Sequence, residues 1–325
     1  MMKNIDFIVI GSGASGSAFS WKMSKAGAKV VCIEQGDFVS NKSYPKKKKD
    51  IEVAALKEWN WNPNIRKNKF DYPIDNSSSP IHPLMYNSVG GSTLHYTAHT
   101  PRLRPSDFKV KTLDNISFDW PISYFDLEKF YDENDKIMGC SGISGDPGNP
   151  PRSERPFKPV PLGKDGEIIA KAMDRLNWHW WPSDNYVDSR YFKNNWKFYG
   201  SHALMDRKSI SSTDKNYTNE AVKMGLIILT NCRVNKIILD NKNKAKGVSY
   251  IKEGKEFKLE GKNIVLASNA IGTPRILMMS STKDHEDGLG NSSGLLGKNL
   301  MFHPYAFIRG QFQGDNKFFY GPNAN

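Results

Sequence analysis

The sequence predicts an α/β protein, and three observations at its start predict it. The short β-branched run Ile5–Ile10 reads as a buried strand and leads directly into a glycine turn, Gly11-Ser-Gly13-Ala-Ser-Gly16. Ala14–Ala26 then reads as a helix, closed by Gly27 at a C-cap position. Lys29–Glu34, with the sequence Lys-Val-Val-Cys-Ile-Glu, is a second buried strand. Together these form a β-α-β unit of about 30 residues.

Beyond this unit the pattern changes. Residues 36–86 lose periodicity and hold the run Lys46–Lys49, five prolines and clusters of Asn and Ser. They read as a lid-like excursion over the surface. Ser123–Met138 is an expected amphipathic helix, with Ser123 as N-cap and Asp126 at the third position. Residues 140–161 are rich in Gly and Pro and form a connector, and residues 165–176 read as a further helix. From Leu226 short β-rich segments follow one another: Leu226–Thr230, Arg233–Leu239, Ala245–Ile251 and Glu256–Glu260. Asn263–Ser268 is again a buried strand, the Thr273–Met279 helix follows, and Tyr305–Phe312 is strand-like.

Composition sets the outer limits. A chain of 325 residues holds roughly two domains. Aromatic residues make up 12% of it, which argues for real cores and against wholesale disorder. No apolar run reaches the roughly 18 residues needed to span a bilayer, and no secretory leader is visible. Cys32, Cys140 and Cys232 are too widely spaced for a disulfide framework or a metal quartet. The expected setting is cytoplasmic. The net charge of +12 is carried by dispersed lysines with no nucleic-acid motif, so nucleic acid is not an expected partner. Peripheral contact with a membrane surface is the weaker second setting.

In the glycine turn each glycine has a physical role. Gly11 allows the tight turn, Gly13 lets the backbone approach a pyrophosphate, and Gly16 lets the helix pack close to the sheet. Ser12, Ala14 and Ser15 complete the turn at the helix N-terminus, where free N–H groups and a positive dipole end favour phosphate. Glu34, followed by Gln35, stands 18 residues after Gly16, where a carboxylate accepts hydrogen bonds from ribose hydroxyls and disfavours a 2′-phosphate. This motif alone leaves FAD and NAD both open. A second turn, Asn87-Ser-Val-Gly90-Gly91-Ser92-Thr93, lies some 50 residues beyond Glu34 and offers the same cofactor a second set of backbone donors, with a helix expected to begin there. It argues for FAD. Two more segments add support: Ile264–Leu277, a strand, a small-residue turn and a helix, and Gly297-Lys-Asn-Leu-Met-Phe-His-Pro304.

These four segments, in this order, resemble the glucose-methanol-choline (GMC) oxidoreductases, a family of flavoproteins. The resemblance runs from residue 5 to about 312. The segment Gly90-Gly-Ser-Thr-Leu-His95-Tyr-Thr97-Ala-His-Thr-Pro-Arg102 is similar to the branch that holds gluconate and fructose dehydrogenase flavoproteins and pyranose oxidase. The resemblance implies an FAD-binding Rossmann-like domain with an interleaved, incomplete α+β substrate domain. It implies oxidation of an alcohol or sugar CH–OH group by hydride transfer to flavin. Gly11, Gly13, Gly16 and Glu34 would hold the ADP half, Gly90, Gly91 and Ser92 would face the pyrophosphate and ribityl chain, and Thr93 is a further cofactor residue. His95 matches a position joined covalently to flavin in pyranose oxidase, Thr97 a position near the flavin's reactive edge, and Val234 a position whose backbone meets adenine. Ser268, in the third segment, is a further cofactor residue. Trp120-Pro121 matches the start of a family helix.

The domain reading follows. Residues 1–120 form the first part of the FAD-binding domain, 121–212 a helical and loop connector with part of the substrate side, 213–300 the second part of the FAD-binding domain, and 301–325 the start of a truncated substrate domain. The family's proton acceptor is a His in the C-terminal portion, which no segment here matches, so no catalytic residue is expected in these 325 residues. His303 belongs to a structural turn. His95 and His99 are four apart, but Pro101 interrupts any helix and no third ligand is near, so no metal is expected. His82 reads as a loop residue and His285 as solvated, while His179, within Trp178–Trp181, reads first as part of a packing cluster, with a place on the substrate side as the second reading for it and for His202. The electron acceptor is unnamed, with a cytochrome or quinone-linked partner as the candidate. The rivals are an NAD-dependent dehydrogenase and a truncated, non-catalytic product.

Overall fold

In the computed structural model the residues described are 2–40, 57–69, 71, 74–192, 209–303 and 310. In chain order the main elements are β1 (Phe7–Ile10), α1 (Ala14–Lys25), β2 (Val30–Ile33), α2 (Tyr124–Met138), α3 (Lys164–Arg175), β3 (Ile227–Leu229), β4 (Arg233–Leu239), β5 (Ala245–Lys252), β6 (Lys255–Glu260), β7 (Asn263–Leu266) and α4 (Asn269–Met279). The chain divides into two compact units, one made of 1–95 and 212–308, the other of 96–211 and 309–325. The sequence reading set its changes at 120/121 and 212/213.

The first unit holds a parallel sheet in the order β3-β2-β1-β7. Phe7 pairs with Val30 on one side and with Asn263 on the other, so β1 is central and its two neighbours come from distant parts of the chain. Such a reversal of strand order opens a crevice at the carboxyl end of the central strand. A three-stranded antiparallel meander, β4-β5-β6, packs on the same unit. Ile8, Ile10, Val31 and Ile33 share one buried apolar cluster with Val234, Ile237 and Val248 of the meander and Ile276 of α4. Removing such side chains from water, at roughly 25 cal/mol per Å², drives this assembly. Phe7 meets Phe19 of α1 edge-on, with ring centroids 5.4 Å apart.

The second unit has little regular structure besides α2 and α3. Asp126 accepts hydrogen bonds from the Ser123 N–H and hydroxyl, both at 2.8 Å, so the expected helix start is found at Tyr124. Trp120-Pro121 does not begin a helix; the capping pair sets the start later, and Trp120 is half exposed. Isolated bridges tie Ser141 to Phe157 and to Asn185, and Val187 to Ile210. Buried ion pairs supply much of the remaining order: Arg102 reaches Asp132 at 2.6 Å and Asp135 at 2.5 Å.

Three further expectations need correction. The helix expected at Gly90 is a single 3₁₀ turn, Gly91–Leu94. β7 is only partly buried, because it is an edge of the described sheet. α4 starts at Asn269 rather than Thr273: the Asn269 side chain accepts from the Ile271 and Gly272 N–H groups, which caps the helix one turn before Pro274. The lysine run, most of Tyr305–Phe312 and His202 lie outside the described residues.

Candidate functional site

The site is built on the turn after β1. Gly11 has φ +97°, and a Cβ there would stand 2.6 Å from the Ala267 carbonyl oxygen, so only glycine lets β1 leave the sheet beside β7. A Cβ on Gly16 would stand 1.9 Å from the Gly11 carbonyl oxygen, which fixes how closely α1 approaches its own turn. Gly13 is the opposite case. A Cβ there would meet nothing within 4 Å, so the backbone at the N-terminus of α1 faces open space. The first turn of α1 itself holds no acidic residue.

The second glycine turn comes in against the first. A Cβ on Gly91 would lie 2.9 Å from the Gly13 Cα, and the Gly90 N–H donates to the Ser12 carbonyl at 2.9 Å. Thr93 fixes this turn: its hydroxyl donates to the Gly90 carbonyl at 2.6 Å and accepts from the Thr213 N–H at 3.1 Å. Two chain segments far apart in sequence thus bring their backbones to one place.

Glu34 closes the β2 end. It is buried and accepts from the Ser12 N–H, the Ser12 hydroxyl and the Gly36 N–H, each at 2.9 Å. Burial pushes its carboxyl above the usual carboxylate range, outweighing the pull of those donors.

A cleft of about 290 Å³ lies among these pieces. Of the residues singled out in the sequence, Gly11, Gly13, Ala14, Ser15, Glu34, Gln35, Gly91, Ser92, Thr93, Val234 and Ser268 line it. Ser12, Gly16 and Gly90 do not: Ser12 is turned onto Glu34, Gly16 is packed against the Gly11 backbone, and Gly90 against the Leu94 and Asp214 side chains. Nor does His95 line it. Its buried ring lies among Tyr86, Trp59 and Trp61, with centroids at 4.0, 5.5 and 6.4 Å. Thr97 and His99 belong to the second unit.

The sequence reading missed Met85 and Tyr86, which with Asn87 form one wall, and Arg233 and Arg275, two cations that also line the cleft. Met85 and Tyr86 sat at the end of a stretch read only as excursion. The Asn87 amide donates to Asp71 at 2.6 Å, and Asp71 makes a bidentate pair with Arg66, whose guanidinium lies 4.8 Å from the Tyr86 ring centroid. Among the described residues no group of His, Cys, Asp and Glu could hold a metal ion, and no helix is long and apolar enough to cross a membrane.

A parallel sheet, a glycine turn at the point where strand order reverses, and an acidic residue at the end of the next strand define a dinucleotide-binding α/β fold. Residues 9–73 accordingly match the family model for an NAD(P)-binding Rossmann-like domain, and residues 165–305 match that for GMC oxidoreductase. The chain belongs to the GMC oxidoreductase family, whose members carry a flavin. It is 39% identical over 309 residues to 2-methyl-1,2-propanediol dehydrogenase of Mycolicibacterium austroafricanum, a match covering 92% of this chain and 55% of that protein. It is 25% identical over 328 residues to the fructose dehydrogenase large subunit of Gluconobacter japonicus, covering 92% and 58%. The chain thus spans about half the length of the curated relatives it matches. Among solved structures, pyridoxine 4-oxidase from Mesorbium loti shares the fold with a TM-score of 0.55 and 18% identity, over 85% of this chain and 52% of that one.

Proposed function

We propose that this chain forms the FAD-binding part of an oxidoreductase that oxidises the CH–OH group of an alcohol or sugar. The observation that carries the reading is the open space at Gly13, above the N-terminus of α1 and beside Gly91. It is a cradle that a Cβ would fill, and its donors suit a pyrophosphate. In this reading the N–H groups of Gly13, Ala14 and Ser15 hold the phosphates, and Glu34 accepts from the adenosine ribose. Gly91, Ser92 and Thr93 serve the middle of the cofactor, while Val234 and Ser268 line its ends. When bound, the flavin supplies the hydride acceptor, its N5.

The chain's own residues then hold and orient; no residue among them is assigned as the proton acceptor for the substrate hydroxyl. His95 is proposed as a flavin neighbour and the candidate covalent link, and Thr97 as a residue of the reactive edge. The diol named in the 39% identical relative supports an alcohol substrate. The relatives named as a fructose dehydrogenase large subunit and a gluconate 2-dehydrogenase flavoprotein support a separate electron-accepting partner, cytochrome or quinone-linked. A cytoplasmic setting, with or without peripheral membrane contact, remains part of the proposal, as do the domain limits read from the sequence.

The test is flavin retention. Purified chain incubated with FAD and desalted should keep a yellow flavin spectrum, and Gly13→Val should lose it while remaining folded. Full flavin retention by the variant would overturn the assignment. Acid precipitation separates the two roles of His95: flavin that stays with the precipitate, and is released in His95→Ala, establishes the covalent link. With an artificial electron acceptor, the chain alone should not oxidise alcohols, polyols or aldoses. Turnover at roughly 1–10³ per second would place the proton acceptor within these residues.

A further inference from the structure

The second unit carries a cleft of its own, about 370 Å³, which the proposed cofactor chemistry does not use. Its floor is an ion cluster of uneven charge. Asp184 accepts from Arg152 at 2.5 Å and from Arg155 at 2.9 Å, and these three side chains are 10, 10 and 3% exposed for Asp184, Arg152 and Arg155. Two guanidinium groups share one carboxylate, so the trio keeps a net positive charge out of bulk water. Such a charge is costly unless something compensates it. The Arg152 Nε–H is buried with no acceptor among the described residues. Backbone shape serves the cluster as well: a Cβ on Gly142 would stand 2.0 Å from an Asp184 carboxylate oxygen.

The wall of the cleft is aromatic and held in place. The Trp181 indole N–H donates to the Ile143 carbonyl at 3.1 Å, and the ring stacks on His179 with centroids 6.1 Å apart. His179 Nε2 meets Asp146 at 2.8 Å, so Asp146 is taken. At the rim, Arg104 lines the same cleft and makes no ion pair among the described residues. Arg102 also lines it, but Asp132 and Asp135 already answer its charge. Besides Arg102, the cations that line the cleft are Arg104, Arg152 and Arg155, and the carboxylates that line it are Asp146 and Asp184.

We infer that this cleft binds a small organic oxyanion, a carboxylate or a phosphate ester, with its body against Trp181 and its oxygens toward Arg104 and the Arg152–Asp184–Arg155 cluster. Guanidinium forks suit both oxyanions, and a flat indole face takes a sugar ring or another flat body. The inference does not rest on the cofactor reading, since binding here requires no flavin.

The experiment is calorimetric titration of the flavin-free full chain with glucuronate, glucose 6-phosphate, inorganic phosphate and neutral glucose. Saturable binding of glucuronate or glucose 6-phosphate, with Kd below about 10 mM and weaker binding of glucose, is expected. The preferred probe tells carboxylate from phosphate. Arg104→Ala, at the exposed rim where folding is spared, should weaken binding about tenfold or more, and added salt should weaken it further. Trp181→Phe, which keeps a flat ring, should retain the anion preference. Absence of binding by every anionic probe would overturn the inference, as would equal binding of glucose or an unchanged Kd in Arg104→Ala.

Discussion

The two units hold themselves together by different means. In the first, β1, β2 and their neighbours bury continuous apolar runs, its polar site is mostly backbone, and one buried ion pair, Arg66 with Asp71, supports the wall of that site. In the second, the most buried features include charged clusters: Arg102 with Asp132 and Asp135, and Asp184 with Arg152 and Arg155. An apolar sheet tolerates exchange among shapes of similar volume. A buried ion cluster tolerates loss of a partner badly, because the charge left behind has nowhere to go. The sheet and turns of the first unit are therefore specified by where side chains are missing, and the second unit by which charges meet.

The largest effect tests the second unit. Arg102→Leu leaves Asp135 buried without its cation, and a loss of about 3–5 kcal/mol in unfolding free energy is expected. Urea denaturation measures it; a loss under about 1 kcal/mol would mean that solvent reaches the cluster. Next comes Gly16→Ala in the first unit, whose new methyl would press on the Gly11 carbonyl. About 1–3 kcal/mol of destabilisation is expected, together with loss of flavin. Gly13→Ala sharpens the contrast. With open space around it, the methyl should change stability by no more than about 0.5 kcal/mol, while flavin affinity falls. Equal thermal shifts for the two glycine variants would erase the distinction drawn between them.

The smallest effect concerns Glu34. Burial lifts its carboxyl above the ordinary 4.5, so the folded chain holds that proton more tightly than the unfolded chain does. Its contribution to stability is complete below pH 4.5 and is lost as pH rises through the raised folded value. Glu34→Gln cannot titrate there. The difference in melting temperature, variant minus parent, should therefore become more positive with rising pH across that window. A flat difference would mean that the three donors cancel the effect of burial.

Sequence reading succeeded where backbone carries the information. The β1-α1-β2 unit, the place of Glu34 at the end of β2 and the β4-β5-β6 strands follow from glycine placement, β-branched runs and turn residues, all local signals. Asp184 stands 32 residues from Arg152 and 29 from Arg155, and no periodicity announces such pairs. Tyr86 was hidden for the same reason: its place in the wall depends on Arg66, itself held by Asp71 and met only after the chain folds back. The start of α4 was misplaced because Pro274 is a strong local cue, whereas the cap supplied by Asn269 depends on its positive φ of +62°.

The contact between Gly13 and Gly91 joins points 78 residues apart in the chain. Because the two turns meet by touching, the stretch of chain between them does not set their spacing. Lengthening a loop costs little, only about 0.6 kcal/mol for each doubling. Insertions and deletions between residues 38 and 58, outside α1, β2 and the wall of the cleft, should therefore be tolerated, so that stretch is free to diverge in length between relatives. The two glycines have no such freedom. A side chain gained at position 91 would need room that only a rearranged position 13 could give, so the pair should vary together or not at all.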